Sequence, residues 1–159
     1  MDTDAARDLA DRFGEYARAV WTGEVSDVEW DQDLDGDIRS SIQRVLEALV
    51  PEGEPGLLKS SDGPLAAVLA DDALYLVGLK RITPDNINHS LTPNARRIRL
   101  DEPGRAMSAS VEIGRARGEI RETLWRLEFA HETLTARAEE GPDIGFLRAI
   151  ASRLGWQFQ

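Results

Sequence analysis

The hydropathy pattern of this chain changes period near Pro64, and that change limits the folds open to it. Before that point apolar residues recur every three or four positions. Ala5, Leu9, Phe13, Ala17 and Val20 form one stripe; Ile38, Ile42, Val45, Leu46 and Leu49 form another. Such spacing gathers side chains on one face of an α-helix. The first stripe predicts a helix from Asp4 to Trp21, capped by Thr3 or Asp4 and ended by Thr22-Gly23. The second predicts a helix from about Asp37 to Val50, stopped by Pro51.

After Pro64 the period becomes strand-like. Leu65 to Leu69 and Ala73 to Val77, joined by Asp71-Asp72, read as a hairpin of buried strands. Ile98 and Leu100 alternate with Arg97 and Arg99, and Met107, Ala109, Val111 and Ile113 with Ser108, Ser110 and Glu112. That alternation places one face in a core and the other in water. Trp125, Leu127 and Phe129 share a face, and Thr133 to Ala138 makes a last strand. Residues 51–56 and 60–64 read as turn-rich connectors, and 82–94, with two Pro and three Asn, as a long loop. Asp143 to Leu154 reads as a final helix with Ile144, Leu147, Ile150 and Leu154 inward.

The expected fold class is therefore α+β. Two amphipathic helices precede an antiparallel meander or partly closed barrel of six or seven strands, and a C-terminal helix caps its open end. The division falls into an acidic helical extension, residues 1–56, and a strand-rich domain, 57–159. The pattern leaves open whether the two form one compact unit.

Charge follows the same boundary. Residues 1–63 carry sixteen Asp/Glu against six Lys/Arg, and residues 64–159 carry thirteen of each, so the net charge of −10 lies wholly in the first part. That balance disfavours non-specific attraction to nucleic acid or anionic lipid and favours a partner with a basic surface. There is no cysteine, which removes disulfides and thiolate metal sites and suits a reducing compartment. No apolar run approaches the roughly 18 to 20 residues of a membrane span, and Met1-Asp2-Thr3-Asp4 is acidic where a secretory signal is basic. A cytoplasmic location is expected.

The acidity peaks at Asp31-Gln-Asp33-Leu-Asp35-Gly36-Asp37. Asp31, Asp33 and Asp35 have the spacing of calcium-loop ligands at positions one, three and five, with Gly36 at six and Ile38 at eight. Position nine is Arg39, and position twelve, where a bidentate Glu belongs, is Ile42. The plainer account is a helix start, where the carboxylates of Asp33, Asp35 and Asp37 cap amides at the positive dipole end. A third account makes Asp31, Asp33, Asp35 and Asp37 a docking epitope for a basic partner. Trp156 and Phe158, after the last helix, join the candidate partner-binding residues, because exposed tail aromatics would form a contact patch.

From about Leu57 to Leu154 the chain resembles bacterial PH-like and GRAM-like domains. The resemblance rests on Asp71-Asp-Ala-Leu-Tyr-Leu-Val77, on Ser110-Val-Glu-Ile113 with its Arg115-Ala-Arg-Gly118 turn, on Leu124 to Phe129, and on the terminal helix. It implies a barrel capped by that helix, and a basic patch able to hold phosphorylated headgroups, here drawn from Arg96, Arg97, Arg99, Arg115, Arg117 and Arg121. The alternative is that these Arg keep outward strand positions soluble and pair with nearby acids such as Glu112, Glu119 and Glu122.

Signatures of catalysis are missing from the sequence: there is no G-x-S-x-G elbow, no phosphate loop, and no second histidine to complete a zinc motif after His131-Glu132. The other histidine, His89, lies in the loop. The expectation is a non-catalytic adaptor whose acidic part docks another protein, without a cofactor. An immunity-type or antitoxin-like inhibitor and an acidic chaperone fall in the same class. A weak calcium-responsive module and an anionic headgroup or small-ligand binder are the alternatives, and a homodimer through the apolar helix stripes is a further expectation.

Overall fold

The computed structural model describes residues 3–24, 32–60, 63–82, 90–100, 108–116, 119–129, 132–138 and 142–154. Two helices, α1 (Thr3–Glu24) and α2 (Gln32–Leu49), lead through a single 3-10 turn into seven strands. These are β1 (Glu54–Ser60), β2 (Gly63–Leu69), β3 (Ala73–Ile82), β4 (Ser90–Arg99), β5 (Ser108–Ala116), β6 (Glu119–Glu128) and β7 (Thr133–Ala138), followed by α3 (Pro142–Arg153). All pairings are antiparallel and the strand order is β4-β3-β2-β1-β7-β6-β5. The fold is α+β, with the sheet left unclosed between β4 and β5.

Period-two burial gives the sheet two apolar faces, and each has its own cover. On one face Leu58, Ala67, Leu69, Leu74, Leu76 and Ile98 share a core with Trp125, Leu127, Leu134 and Ala136. Phe146, Leu147, Ile150, Ala151 and Leu154 of α3 and its end complete it. Ile98 belongs to β4 and Trp125 to β6, near opposite ends of the strand order, so the sheet curls around this core. On the other face Leu57, Ala66, Val68 and Val77 meet the helical stripes: Ala6, Leu9, Ala10, Phe13 and Ala17 of α1, and Ile38, Ile42 and Leu46 of α2. α1 therefore packs on β1 and β2, and α2 on β3 and β4.

Three segments differ from their sequence reading. β1 occupies residues that read as a connector because of Pro51, Gly53, Pro55 and Gly56. β1 pairs with β2 along its length but with β7 only at Lys59 and Ser60. In this register β7 ends at Ala138, so the first half of β1 runs on past it. A Cβ on Gly56 would lie 2.2 Å from the Phe146 ring, and one on Gly53 only 2.0 Å from the Leu69 carbonyl oxygen. These glycines serve close approach within the fold.

β4 begins at Ser90, inside the expected 82–94 loop, and Pro93 sits in it opposite Leu79. An edge strand tolerates proline because one side of its ladder is unpaired. The remaining residues of that expected loop, 83–89, lie outside the described residues. α2 begins at Gln32 rather than near Asp37, so Asp33, Asp35, Gly36 and Asp37 belong to a helix.

Candidate functional site

Two features of the described surface carry chemistry: the acidic outer side of the helical layer and a cavity at one end of the curled sheet. On α1 the acids Asp4, Asp8, Asp11 and Glu15 are spaced four, three and four residues apart and all are exposed. That spacing keeps them within a narrow arc of one helix face, about 17 Å long at 1.5 Å per residue. Asp4 pairs with Arg7, and Asp11 accepts from Arg39 Nη1 at 3.4 Å. Among the described residues Asp8 and Glu15 have no ion-pair or hydrogen-bond partner.

Arg7, Arg18 and Arg44 are exposed on this layer, whereas Arg12 and Arg39 are engaged between elements. Arg39 lies across Gly14, where a Cβ would meet its Nε at 2.8 Å. It donates to Asp35 Oδ2 at 2.9 Å and to the Asp11 carbonyl at 3.0 Å, stapling α2 to α1. Burial pulls the guanidinium's pKa down, but the hydrogen bond and charge of Asp35, then those of Asp11, raise it by more. Arg12 and Lys59 turn instead to Asp143 at the start of α3; Arg12 pairs directly and Lys59 Nζ lies 3.5 Å away. Asp143 is 8% exposed, and Lys59 also stands 5.4 Å above the Tyr16 ring. Thus one carboxylate from the neutral part of the chain engages two cations of the acidic part. It ties α1, β1 and α3 together.

The residues singled out from sequence are distributed as follows. Asp37 is exposed on α2, Asp35 is half-buried against Arg39, and Asp33 lies in the first turn of α2. Asp31, Trp156 and Phe158, and both histidines, lie outside the described residues. Alternate residues of an α-helix project on opposite sides, so D-x-D-x-D spacing gathers ligands in a loop but not in a helix. Among the described residues no cluster of three His, Asp or Glu side chains could hold a metal. No described helix is long and apolar enough to cross a membrane.

Arg96, Arg97 and Arg99 lie on β4, whereas Arg115 is on β5 and Arg121 on β6 at the other end of the strand order. Arg117 lies outside the described residues. Arg96 reaches back to pair with Glu132, just before β7, across the open side of the sheet. Trp125 is core: its indole N–H donates to the Thr123 hydroxyl at 2.9 Å, and that hydroxyl donates to the Ala138 carbonyl at 2.9 Å.

The cavity, about 280 Å³, lies where β1, β2, β3, β4 and β7 present Ser60, Leu65, Leu76, Asn94, Arg96 and Leu134. The sequence held a signal for the α1 stripe in the four-three-four spacing of its acids. It held none for the cavity, which depends on strand registers. No protein-family model, curated protein or solved structure matches the chain.

Proposed function

We propose that this chain is a non-catalytic binding protein that docks a basic protein surface through its helical layer. The observation that carries the reading is the exposed acidic stripe of α1, four acids with Arg7 and Arg18 exposed beside them, while Arg12 and Arg39 turn inward. Opposite potentials steer encounter and fix register more than they add raw affinity. A partner presenting Arg or Lys along a helix or strand matches a stripe of this length. Within this reading the stripe is the main contact, Asp37 extends it onto α2, and Asp35 serves chiefly to hold Arg39. A bacterial, cytoplasmic setting fits a cysteine-free acidic chain. The PH-like reading of residues 57–154 is supported by the unclosed meander and the helix seated on its inner face.

The test is a pull-down from native cell extract, followed by measurement of the captured protein's Kd. The chain carries Asp4→Asn, Asp8→Asn, Asp11→Asn and Glu15→Gln together. Exposed charges contribute about 0.2–1 kcal/mol each, so the four predict a loss of at least about fourfold, and up to several hundredfold, that shrinks as salt rises. An unchanged Kd at low salt removes the stripe from the account.

A further inference from the structure

The cavity at the end of the curled sheet has the construction of a ligand site, and the reason lies in which residues face inward. In the described core the inward positions nearest α3 are large: Leu58, Leu69, Leu74, Leu76, Ile98 and Trp125. Further along the strands, small residues enter two successive inward rows. Ser60 pairs with Gly63 across β1 and β2, and Gly78 pairs with Asn94 across β3 and β4. Gly63 has φ +124°, which favours glycine, and a Cβ there would meet nothing within 4 Å. At Gly78 the space a Cβ would need is already approached by Leu65 Cδ2, at 2.9 Å. Leu65, Leu76 and Leu134 form the apolar walls of the cavity, and Ser60, Gly63 and Gly78 are among its described lining.

At the rim stand Asn94 and Arg96. Arg96 uses Nη1 for Glu132, and among the described residues its Nε and Nη2 have no partner. A guanidinium has five N–H donors in a fixed fork, so it can hold a second anion beside the first. An engineered cavity of about 150 Å³ takes a benzene ring, so about 280 Å³ suits a ligand of roughly ten to twelve non-hydrogen atoms. A nucleotide or a folded peptide segment is too large.

We propose that this end of the sheet binds a small amphiphile with an aliphatic body and one anionic head. The body lies against Leu65, Leu76 and Leu134, and the head meets Arg96 and Asn94. Carboxylate and phosphate heads share the required chemistry, and the experiment separates them. The site is independent of the α1 stripe and stands or falls apart from it.

The full chain is titrated with octanoate, octyl phosphate and octanol by calorimetry, with backbone amide shifts of β2, β3 and β4 followed by NMR. Both or either of the anions should bind and shift amides near Gly63, Gly78 and Asn94, the tighter one identifying the head. Octanol should bind at least about tenfold more weakly, the loss expected for one charge-assisted contact. Arg96→Gln should weaken the anions about tenfold and leave octanol unchanged. Asn94→Trp, an exposed edge-strand position that tolerates a large aromatic, should block all three while circular dichroism stays that of the parent chain. Absence of binding by both anions at millimolar concentration overturns the proposal. So does octanol binding as tightly as the anions, or affinities unmoved by both substitutions in folded protein.

Discussion

The contact between Gly56 and Phe146 permits a prediction whose sign is opposite to propensity. Replacing a strand glycine by alanine normally stabilises by about 0.5–1 kcal/mol, because glycine loses more backbone freedom on folding. Gly56 does not have a positive φ, so alanine suits its backbone. A Cβ there, however, would lie 2.2 Å from Phe146 Cγ and 2.4 Å from Cδ1 and Cδ2. Carbon atoms prefer about 3.5–4.0 Å, so the ring or the strand must give by more than about 1 Å. Phe146 is 3% exposed and enclosed by the sheet core, so it has little freedom to retreat. Overpacking of this kind costs about 1–3 kcal/mol, which leaves Gly56→Ala destabilising by about 1–2 kcal/mol. Phe146→Ala alone should cost about 3–5 kcal/mol as a large-to-small core change. In the Phe146→Ala background the added methyl enters the vacated space, and Gly56→Ala should become neutral or stabilising. The two changes are then coupled by about 1.5–3 kcal/mol. Urea unfolding followed by tryptophan fluorescence, with buried Trp125 as reporter and the slope checked for constancy, measures all four corners. If Gly56→Ala costs the same in both backgrounds to within about 0.5 kcal/mol, the ring does not set the glycine and the reasoning fails.

Asp143→Asn should destabilise by about 1–2 kcal/mol in the same assay, since Arg12 and Lys59 lose a buried carboxylate. Both cations are about a third or more exposed, so the difference should narrow as salt rises. Arg39→Lys should cost about 0.5–1.5 kcal/mol, because an ammonium cannot span Asp35 and the Asp11 carbonyl as a fork does. The folded-state pKa of Arg39 lies above its ordinary value, so its stabilisation is fully present below that value and is lost only as pH rises through the higher one. The cost of Arg39→Lys should therefore stay level in unfolding curves taken from pH 7 to about pH 9; a steady fall across that range would contradict the assignment.

Much of the architecture was legible because it is written in short-range periodicity. The stripe from Leu9 to Ala17, the stripe from Ile38 to Leu46 and the alternation about Trp125 each occupy a few consecutive turns or strand residues, and each is buried as its spacing implies. What the sequence hid depends on partners far along the chain. β1 looks like a connector until Phe146, ninety residues later, supplies the reason for Gly56. Pro93 breaks a strand pattern until β4 is known to be an edge. The Asp31–Asp37 run resembles a loop because its spacing matches cation ligands; Asp35 instead pairs with Arg39 four residues on, and Ile38 and Ile42 bury on the same helix. Of the candidate site, the acidic face could be read from spacing. The inward pairs Ser60–Gly63 and Gly78–Asn94 could not, since they exist only in register.

The separation of the two cores has a consequence for synthesis on the ribosome. Every described residue of the helix-covered core, from Ala6 to Val77, and the described residues packed against it, out to Leu79, precede β4, although α2 also touches β4. That side can close early. The opposite side of the same strands, with Leu58, Leu69, Leu74 and Leu76, waits for β6, β7 and α3, with Leu154 the last of its described core residues. At about 5–20 residues per second the interval is roughly 4–15 s. For that time the nascent chain is half a protein, closed on one side and greasy on the other, and it is then most exposed to capture by a chaperone or a neighbouring chain.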